Sequence, residues 1–418
     1  MKIVHAGTSD LNGGAAIASL RISSALNKMS VSSKLLVHKK VSNDPQVESI
    51  ISNSFEKIGY YSRFLLDESL IRTLTVSDRG RFSFPFYGAD VSSNKLINEA
   101  DILNLHWING GYLSLNSLAK LSGLNKPIVW TLHDMWAFTG GCHYNLDCEK
   151  FIDRCNTCPA LKLKSENDFS AKIFHRKKDI LNSLNITIVT CSSWLAEEAG
   201  KSSTLKGKNI IVINNPIHTK VFKPIDQDVA RKEFQFTSGK FLLLIGAMNL
   251  KDKRKGFNHL LDALKFIYEK YSDLRYRIEL ITFGKPDKSI ENGIPFRVHN
   301  LGTIPDEEKL RNLYNACDLY VAPSIQDNLP NTVLESISCG TPVVAFNTGG
   351  IPDMIEHLKN GYLATLQSSE DLAEGIVLLL TKPDLLQEMK AASRERAVEY
   401  FNEEYIAKKY IELYKSIL

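Results

Sequence analysis

The stretch Asp318-Leu-Tyr-Val-Ala-Pro-Ser324-Ile-Gln-Asp-Asn-Leu-Pro-Asn-Thr-Val-Leu-Glu335-Ser-Ile-Ser-Cys-Gly-Thr-Pro-Val-Val-Ala345 reads as strand, loop, helix and strand again. Asp318 to Ala322 is a short apolar run of the kind buried on both faces of a parallel sheet. It ends at Pro323-Ser324, a loop runs to Pro330, and a helix opens near Asn331-Thr332. Pro342-Val-Val-Ala-Phe346 supplies the next strand. The N-terminus of that helix presents backbone N–H groups and the positive end of its dipole, which suits a diphosphate. Asn331 and Thr332 add a cap and further donors. Glu335 lies one turn in, facing back toward the strand ends. A carboxylate there can accept hydrogen bonds from two ribose hydroxyls, or can simply be a first-turn acid stabilised by the dipole.

Outward from this segment the same rhythm recurs. Phe241-Leu-Leu-Leu-Ile-Gly246, Arg277 to Gly284 and Asp318 to Ala322 read as strands, with helices over Phe257 to Lys270 and Lys309 to Ala316. Toward the N-terminus, Lys2-Ile-Val-His-Ala6 leads through a turn into a helix from Ala15 to about Met29. Ser33 to His38, Ile102 to His106, Ile128 to His133, Ile186 to Thr190 and Ile210 to Ile213 read as further strands. Asn214-Asn-Pro-Ile-His-Thr-Lys-Val-Phe-Lys-Pro224 breaks the pattern with two prolines and reads as a linker. The expectation is therefore an α/β chain of two Rossmann-like domains, residues 1–216 and 217–399, facing each other across a cleft. A last helix, about 400–418, is expected to pack back on the first domain. At 418 residues the chain fits two domains of roughly 200 each.

Composition bounds the function. A net charge of +4 with 23% charged residues argues against a dedicated nucleic-acid binder. The apolar start, Met1 to Gly7, is too short for a signal core, and no run reaches the ~18 apolar residues of a membrane span. A cytoplasmic protein is expected, peripheral on the inner face of the membrane if its acceptor is lipid-linked. The basic, aromatic stretch Tyr60 to Arg81 is a candidate for that contact and equally an ordinary packed helix.

Four further clusters carry candidate chemistry. The loop Gly246-Ala-Met-Asn-Leu-Lys-Asp-Lys-Arg-Lys255-Gly256 is basic and lies between a strand and a helix, where a leaving diphosphate would be neutralised. Gly13-Gly14 opens the first helix, where absent side chains let a substrate approach the backbone. His106 and His133 each stand at a strand's carboxyl end, where sites in open α/β sheets are built. Cys142, Cys148, Cys155 and Cys158 lie in one loop, with a Cys-x2-Cys pair at its end, and suit a structural zinc. Two disulfides or a redox-sensitive loop are the alternatives. No Asp-x-Asp metal motif is evident at these clusters, and no catalytic metal is expected.

The stretch Asn315 to Ala345 resembles the signature of the family 4 retaining glycosyltransferases, enzymes of GT-B architecture. Asp327 and Glu335 stand at the family's spacing of two acids, followed by Ser338-Cys-Gly-Thr-Pro-Val-Val344. The resemblance runs along nearly the whole chain and is weakest between about Pro45 and Ser93. It implies that Glu335 binds the nucleotide ribose, that Asp327 lies near the donor sugar, and that Asn331, Thr332 and Val333 hold the phosphates. Lys255-Gly256 matches the family's lysine over the diphosphate. The family's arginine falls at about Asn249, with Arg254 or Lys253 as its stand-in. Asp327 stands where the family usually has Glu. The resemblance also implies that Gly13 and Gly14 face the diphosphate and acceptor. His133 would contact the donor sugar, and His106, Asn109 and Gly110 would lie on the acceptor side.

The function so implied is transfer of a sugar, with retention, from a UDP- or GDP-linked donor to a glycan or lipid-linked acceptor in surface polysaccharide synthesis. A GT-B epimerase or phosphorylase, or a sugar-nucleotide-binding protein with a decayed site, are the alternatives. The latter is motivated by Asp327 and Asn249.

Overall fold

A computed structural model describes residues 1–247, 252–285 and 293–418. The chain divides into two compact units, Met1–Asn215 with Ile406–Leu418, and Pro216–Tyr405.

The first unit is built on a parallel sheet of β1 (Lys2–Ser9), β2 (Ser32–Lys39), β3 (Val47–Ser49), β4 (Ile102–Leu105), β5 (Ile128–Leu132), β6 (Ile186–Thr190) and β7 (Ile210–Val212). Their order is β3-β2-β1-β4-β5-β6-β7. Chain order reverses between β1 and β4, whose registers pair Ile3 with Ile102 and Ala6 with Leu105. β4 and β5 are buried at every position, which is why they read as unbroken apolar runs rather than as alternating ones. The helix Glu403–Ile417 contributes its last turns to this unit. There the Tyr414 hydroxyl accepts from Asn104 Nδ2 at 2.7 Å, and Tyr410 Oη lies 3.3 Å from Thr131 Oγ1.

The second unit holds β8 (Phe241–Ala247), β9 (Ile278–Gly284), β10 (Arg297–Asn300), β11 (Leu319–Ala322), β12 (Val343–Phe346) and β13 (Gly361–Ala364), all parallel, in the order β10-β9-β8-β11-β12-β13. Here the reversal falls between β8 and β11. The helix Phe257–Lys270 buries Leu260, Ala263, Leu264 and Ile267. These positions form one stripe at helical spacing, each leucine contributing about 2 kcal/mol by burial. The helix Glu307–Ala316 opens on Asp306, whose carboxylate accepts from the Lys309 N–H; such a cap contributes ~1 kcal/mol.

These two doubly wound sheets are the architecture the apolar runs predict. In open sheets of this kind, ligands gather beyond the carboxyl ends of the strands flanking the reversal. In the first unit those strands are β1 and β4, and in the second β8 and β11.

Candidate functional site

In the second unit the loops leaving β8 and β11 dock on each other. The residues Lys253–Lys255 form a single 3-10 turn whose start is capped by Asp252, accepting from the Arg254 N–H at 3.0 Å. Gly256 follows at φ 67, and a Cβ there would lie 1.8 Å from the Pro323 carbonyl oxygen. Only glycine permits both the left-handed backbone and that approach. One step on, the Ile325 N–H donates to the Arg254 carbonyl at 2.8 Å.

This docking brings three of the expected site residues together. Lys255 Nζ donates to Asp327 Oδ2 at 2.5 Å, and Arg254 Nη1 lies 3.2 Å from the same oxygen while donating to the Gln326 carbonyl at 2.7 Å. Asp327 is 6% exposed. Burial alone would raise its pKa, but Lys255 and then Arg254 outweigh that and hold the carboxyl well below the usual carboxylate range. The Asp327 backbone is pinned too. Its carbonyl accepts from the Gly350 N–H at 3.0 Å, and a Cβ on Gly349, at φ 56, would come within 1.9 Å of that oxygen.

The helix Asn331–Ser338 begins beside this trio, with Pro330 as its N-cap and no side-chain cap. Asn331 and Thr332 are half-buried at its start, and Thr332 is hydrogen-bonded to Tyr320. Val333 is fully buried and its N–H is bonded to the Pro330 carbonyl at 3.0 Å, so its side chain faces the core rather than a ligand. Glu335 is 4% exposed and accepts from the Tyr314 hydroxyl at 3.1 Å. Tyr320 feels both Glu335 and Asp327, which puts the two carboxylates in one neighbourhood. Asn249 lies outside the described residues.

In the first unit, Gly13 is the N-cap of the helix Gly14–Lys28, at φ 104 and with no side-chain cap. His106 and His133 follow β4 and β5 directly, and their rings meet, His106 Nδ1 to His133 Nε2, at 2.9 Å. His5 of β1 extends this line, its Nδ1 2.8 Å from His106 Nε2. Cys191 closes the other end, 3.5 Å from His133 Nδ1. Burial keeps these imidazoles neutral, His5 pushed down to about 3 and His133 to about 4. His106 is held well below its ordinary value by burial and by its two neighbours. Asn109 and Gly110 are buried next to them, the Asn109 carbonyl accepting from Thr8 Oγ1 at 2.7 Å. His106, Asn109, His133 and Asp134 line one cavity.

Sequence reasoning did not find Asp134, although it follows His133 directly. Its Oδ2 lies 2.7 Å from His143 Nδ1 and accepts from Trp107 Nε1 at 3.0 Å, and His143 Nε2 lies 2.8 Å from Ser83 Oγ. Ser83 is wholly buried, so this Ser–His–Asp line braces the loop and offers no nucleophile to a substrate. Tyr314 and Gly349 were missed as well. The signal for Gly349 was the pair Gly349-Gly350 just after a strand.

All seven cysteines carry free thiols. Among the described residues no three or more His, Cys, Asp or Glu side chains are drawn together as metal ligands. Cys142, Cys148, Cys155 and Cys158 nevertheless line a single cavity, separate from that of the histidines.

Residues 239–382 match the family described as glycosyl transferases group 1. The chain is 24% identical over 335 residues to a putative colanic acid biosynthesis glycosyl transferase, WcaC, of Escherichia coli, covering 76% of each. It is 26% identical over 241 residues to an uncharacterized glycosyltransferase of Haemophilus influenzae. That match covers 56% of this chain and 63% of the relative, so the chain spans just under two thirds of that relative's length. Among solved structures, sucrose-phosphate synthase from Thermosynechococcus elongatus superposes with a TM-score of 0.70 at 18% identity, covering 100% of this chain and 99% of that one. Anabaena HepE in complex with UDP and glucose gives 0.66 at 17%, covering 100% of both. At these identities the structural likenesses speak to the fold alone, a two-domain GT-B fold.

Proposed function

Residues 239–382 match the group 1 glycosyl transferases, and from that premise we propose that the chain moves a sugar, with retention, from a nucleotide-sugar donor to a hydroxyl of a glycan or lipid-linked acceptor. The observation that carries the reading is the pair of docked loops in the second unit. They hold two cations, Lys255 and Arg254, on one buried carboxylate beside an N-terminus without a side-chain cap, with Glu335 one turn further in.

Each part has a chemical task. Departure of a nucleoside diphosphate leaves negative charge on the bridging phosphate. Lys255, Arg254 and the first turn from Asn331 are assigned to stabilise it, so charge develops against groups already in place. Asp327 fixes the direction of both cations, which spares reorganisation at the moment of reaction. Glu335 takes the ribose hydroxyls. Its Oε2 already accepts one hydrogen bond from Tyr314, which orients the carboxylate. Cleavage at the anomeric carbon leads, the acceptor hydroxyl attacks from the same face, and its proton passes to the departing phosphate oxygen. No step is routed through a divalent ion.

The carboxyl edge of the first sheet is assigned to the acceptor through Gly13, Gly14, His106, Asn109 and Gly110, with His133 as the contact to the reacting sugar. A polysaccharide or lipid-linked acceptor fits two names among the relatives. One is the colanic acid enzyme above. The other is an N-acetylgalactosaminyltransferase of Campylobacter jejuni named for a diphospho-undecaprenol substrate, 28% identical over 224 residues and covering 51% of this chain and 56% of that one. No helix among the described residues is long and apolar enough to cross a membrane. Access to such an acceptor is therefore assigned to a peripheral contact. The helix Ser54–Leu74 supplies exposed Phe55, Ile58, Tyr61 and Leu65 for it, whereas Tyr60 is buried against His38.

The test is release of UDP or GDP from a panel of sugar nucleotides, with Glu335→Ala as control and melting shifts against each donor read in parallel. Donor-dependent release that disappears in the variant supports the reading. Melting shifts without release across all donors and acceptors would return the chain to a binding protein.

A further inference from the structure

The cysteine loop of the first unit takes no part in the reading above. Between the turn at Trp136–Phe138 and the helix Phe169–Ser183 the chain forms no helix or strand, only isolated bridges at Cys142 and Leu161. Irregular segments longer than ~12–15 residues are uncommon in a compact domain unless something fastens them. Two residues of this loop that are not glycine hold left-handed backbone, Leu146 at φ 51 and Thr157 at φ 40. For a β-branched residue such as Thr157 that conformation persists only where its surroundings impose it.

The thiols gather where the fastening would be. Cys142, Cys148, Cys155 and Cys158 line one cavity, and Cys155 and Cys158 are buried in the apolar core of the unit. The hydrogen bonds around them point at sulfur. The Gly140 N–H donates to Cys155 Sγ at 3.2 Å, and the Ala160 backbone donates to Cys158 two residues behind it. A Cβ on Gly140 would sit 2.8 Å from the Cys155 Cβ, so glycine is what lets that N–H reach the sulfur. N–H donors stabilise a thiolate far more than a thiol, and such donors are what orient sulfur ligands at metal centres.

A second observation is independent of the sulfur geometry. Lys177 is wholly buried, its ammonium 3.5 Å from the centroid of the Trp136 ring and donating to the Thr139 carbonyl at 3.0 Å. The Thr139 hydroxyl in turn donates to the Cys142 carbonyl at 2.6 Å, which places this side chain beside the cysteine loop.

We propose that Cys142, Cys148, Cys155 and Cys158 bind one structural zinc ion, with Lys177 offsetting the negative charge of the centre. Zinc prefers four thiolates in a closed tetrahedral set, each thiol releasing its proton to solvent as its sulfur binds. Four thiolates on a doubly charged cation leave a dianionic centre, which a cation beside the loop would offset. Binding draws inward four side chains that already line one cavity. With every position filled by protein, the ion holds the loop and performs no chemistry on a substrate.

The experiment is elemental analysis of the full-length protein, purified without chelator from zinc-supplemented culture. The expected result is about one zinc per chain. The metal should be released by a mercurial reagent and read with a chromophoric chelator. The double variant Cys155→Ser/Cys158→Ser should lose it, while Cys191→Ser, outside the cluster, should keep it. Replacing zinc with cobalt(II) in the wild type gives a second readout, thiolate-to-cobalt charge-transfer absorption, which holds even if the double variant fails to fold. Wild-type protein with less than a tenth of an equivalent of zinc and no cobalt band would overturn the proposal, whether its thiols then titrate as free or as disulfides. Neither readout depends on sugar transfer.

Discussion

Lys255 and Asp327 are 72 positions apart in sequence and meet at 2.5 Å, in a part-buried ion pair that Arg254 shares. The pair clamps the loop after β8 to the loop after β11, so it is at once a structural tie and the arrangement of charge around the proposed leaving group. Lys255→Ala is expected to lower kcat by about 100-fold or more, the cost of losing one preorganised charge donor. Asp327→Asn is expected to act differently. It leaves two cations with a neutral partner, so the melting temperature falls together with activity. The Asp327 carboxyl is held below its ordinary pKa in the folded chain, so its stabilisation is complete above the usual carboxylate range and is lost as pH falls below ~4. Melting curves of the wild type between pH 7 and 3 should show that loss, and the Asn variant should lack its share.

Gly256 is expected to tolerate no side chain. Gly256→Ala sets a Cβ against the Pro323 carbonyl and keeps a left-handed backbone that alanine resists by about 1–2 kcal/mol. A main-chain clash cannot be relieved by a rotamer change, so the two loops must part. The expected outcome is a melting temperature lower by ~5 °C or more, with weaker donor binding, since Lys255 moves with the turn. Normal donor affinity in this variant would mean that loop docking does not set the cation geometry.

Glu335 is the proposed nucleotide contact. Glu335→Ala should weaken donor binding by about 10- to 100-fold, the loss of one or two hydrogen bonds to a charged acceptor. Tyr314→Phe removes only the hydroxyl that orients the carboxylate and should cost less than tenfold. Calorimetric titration with the donor on both variants checks the ranking. An equal effect in the two would place Tyr314, rather than Glu335, at the ligand.

The elements around these residues were legible in the sequence to very different degrees. β4, β5, β11 and β12 are buried along their whole length, so each appears as a continuous apolar run and was read nearly to the residue. β3, with Glu48 at its centre, and β10, with exposed Arg297 and Asn300, are edge strands with too little apolar content to show. Glu335 and Lys255 were singled out by their place beyond a strand end together with the family resemblance, not by spacing alone. Pairings across the sheet left no such trace. Nothing near Lys255 says that its ammonium is held by Asp327, and nothing near His106 says that His5, from a strand almost a hundred residues earlier, lies against it. These contacts are set by strand order, and strand order is fixed by which crossovers pack, not by any local run of residues.

The histidine line makes the last prediction. The Cys191 thiol donates to the Leu132 carbonyl at 3.3 Å, so its sulfur is free to accept from His133 Nδ1–H. His133 Nε2 then accepts from His106 Nδ1–H, and His106 Nε2 from His5 Nδ1–H. Each imidazole is neutral in this order, and the pKa shifts agree, with His133 pushed down to about 4 and His5 to about 3, both by burial. In the unfolded chain the same groups titrate near ~6.5. The folded values lie below the unfolded ones, so the contribution to stability is complete above pH ~6.5 and is lost as pH falls from there toward 4. The melting temperature should therefore begin to drop below pH 6.5. His133 should also stay neutral wherever the enzyme works. A kcat–pH profile with a limb near pH 6.5 that vanishes in His133→Asn would show that His133 exchanges a proton there and that the line is not locked in this order.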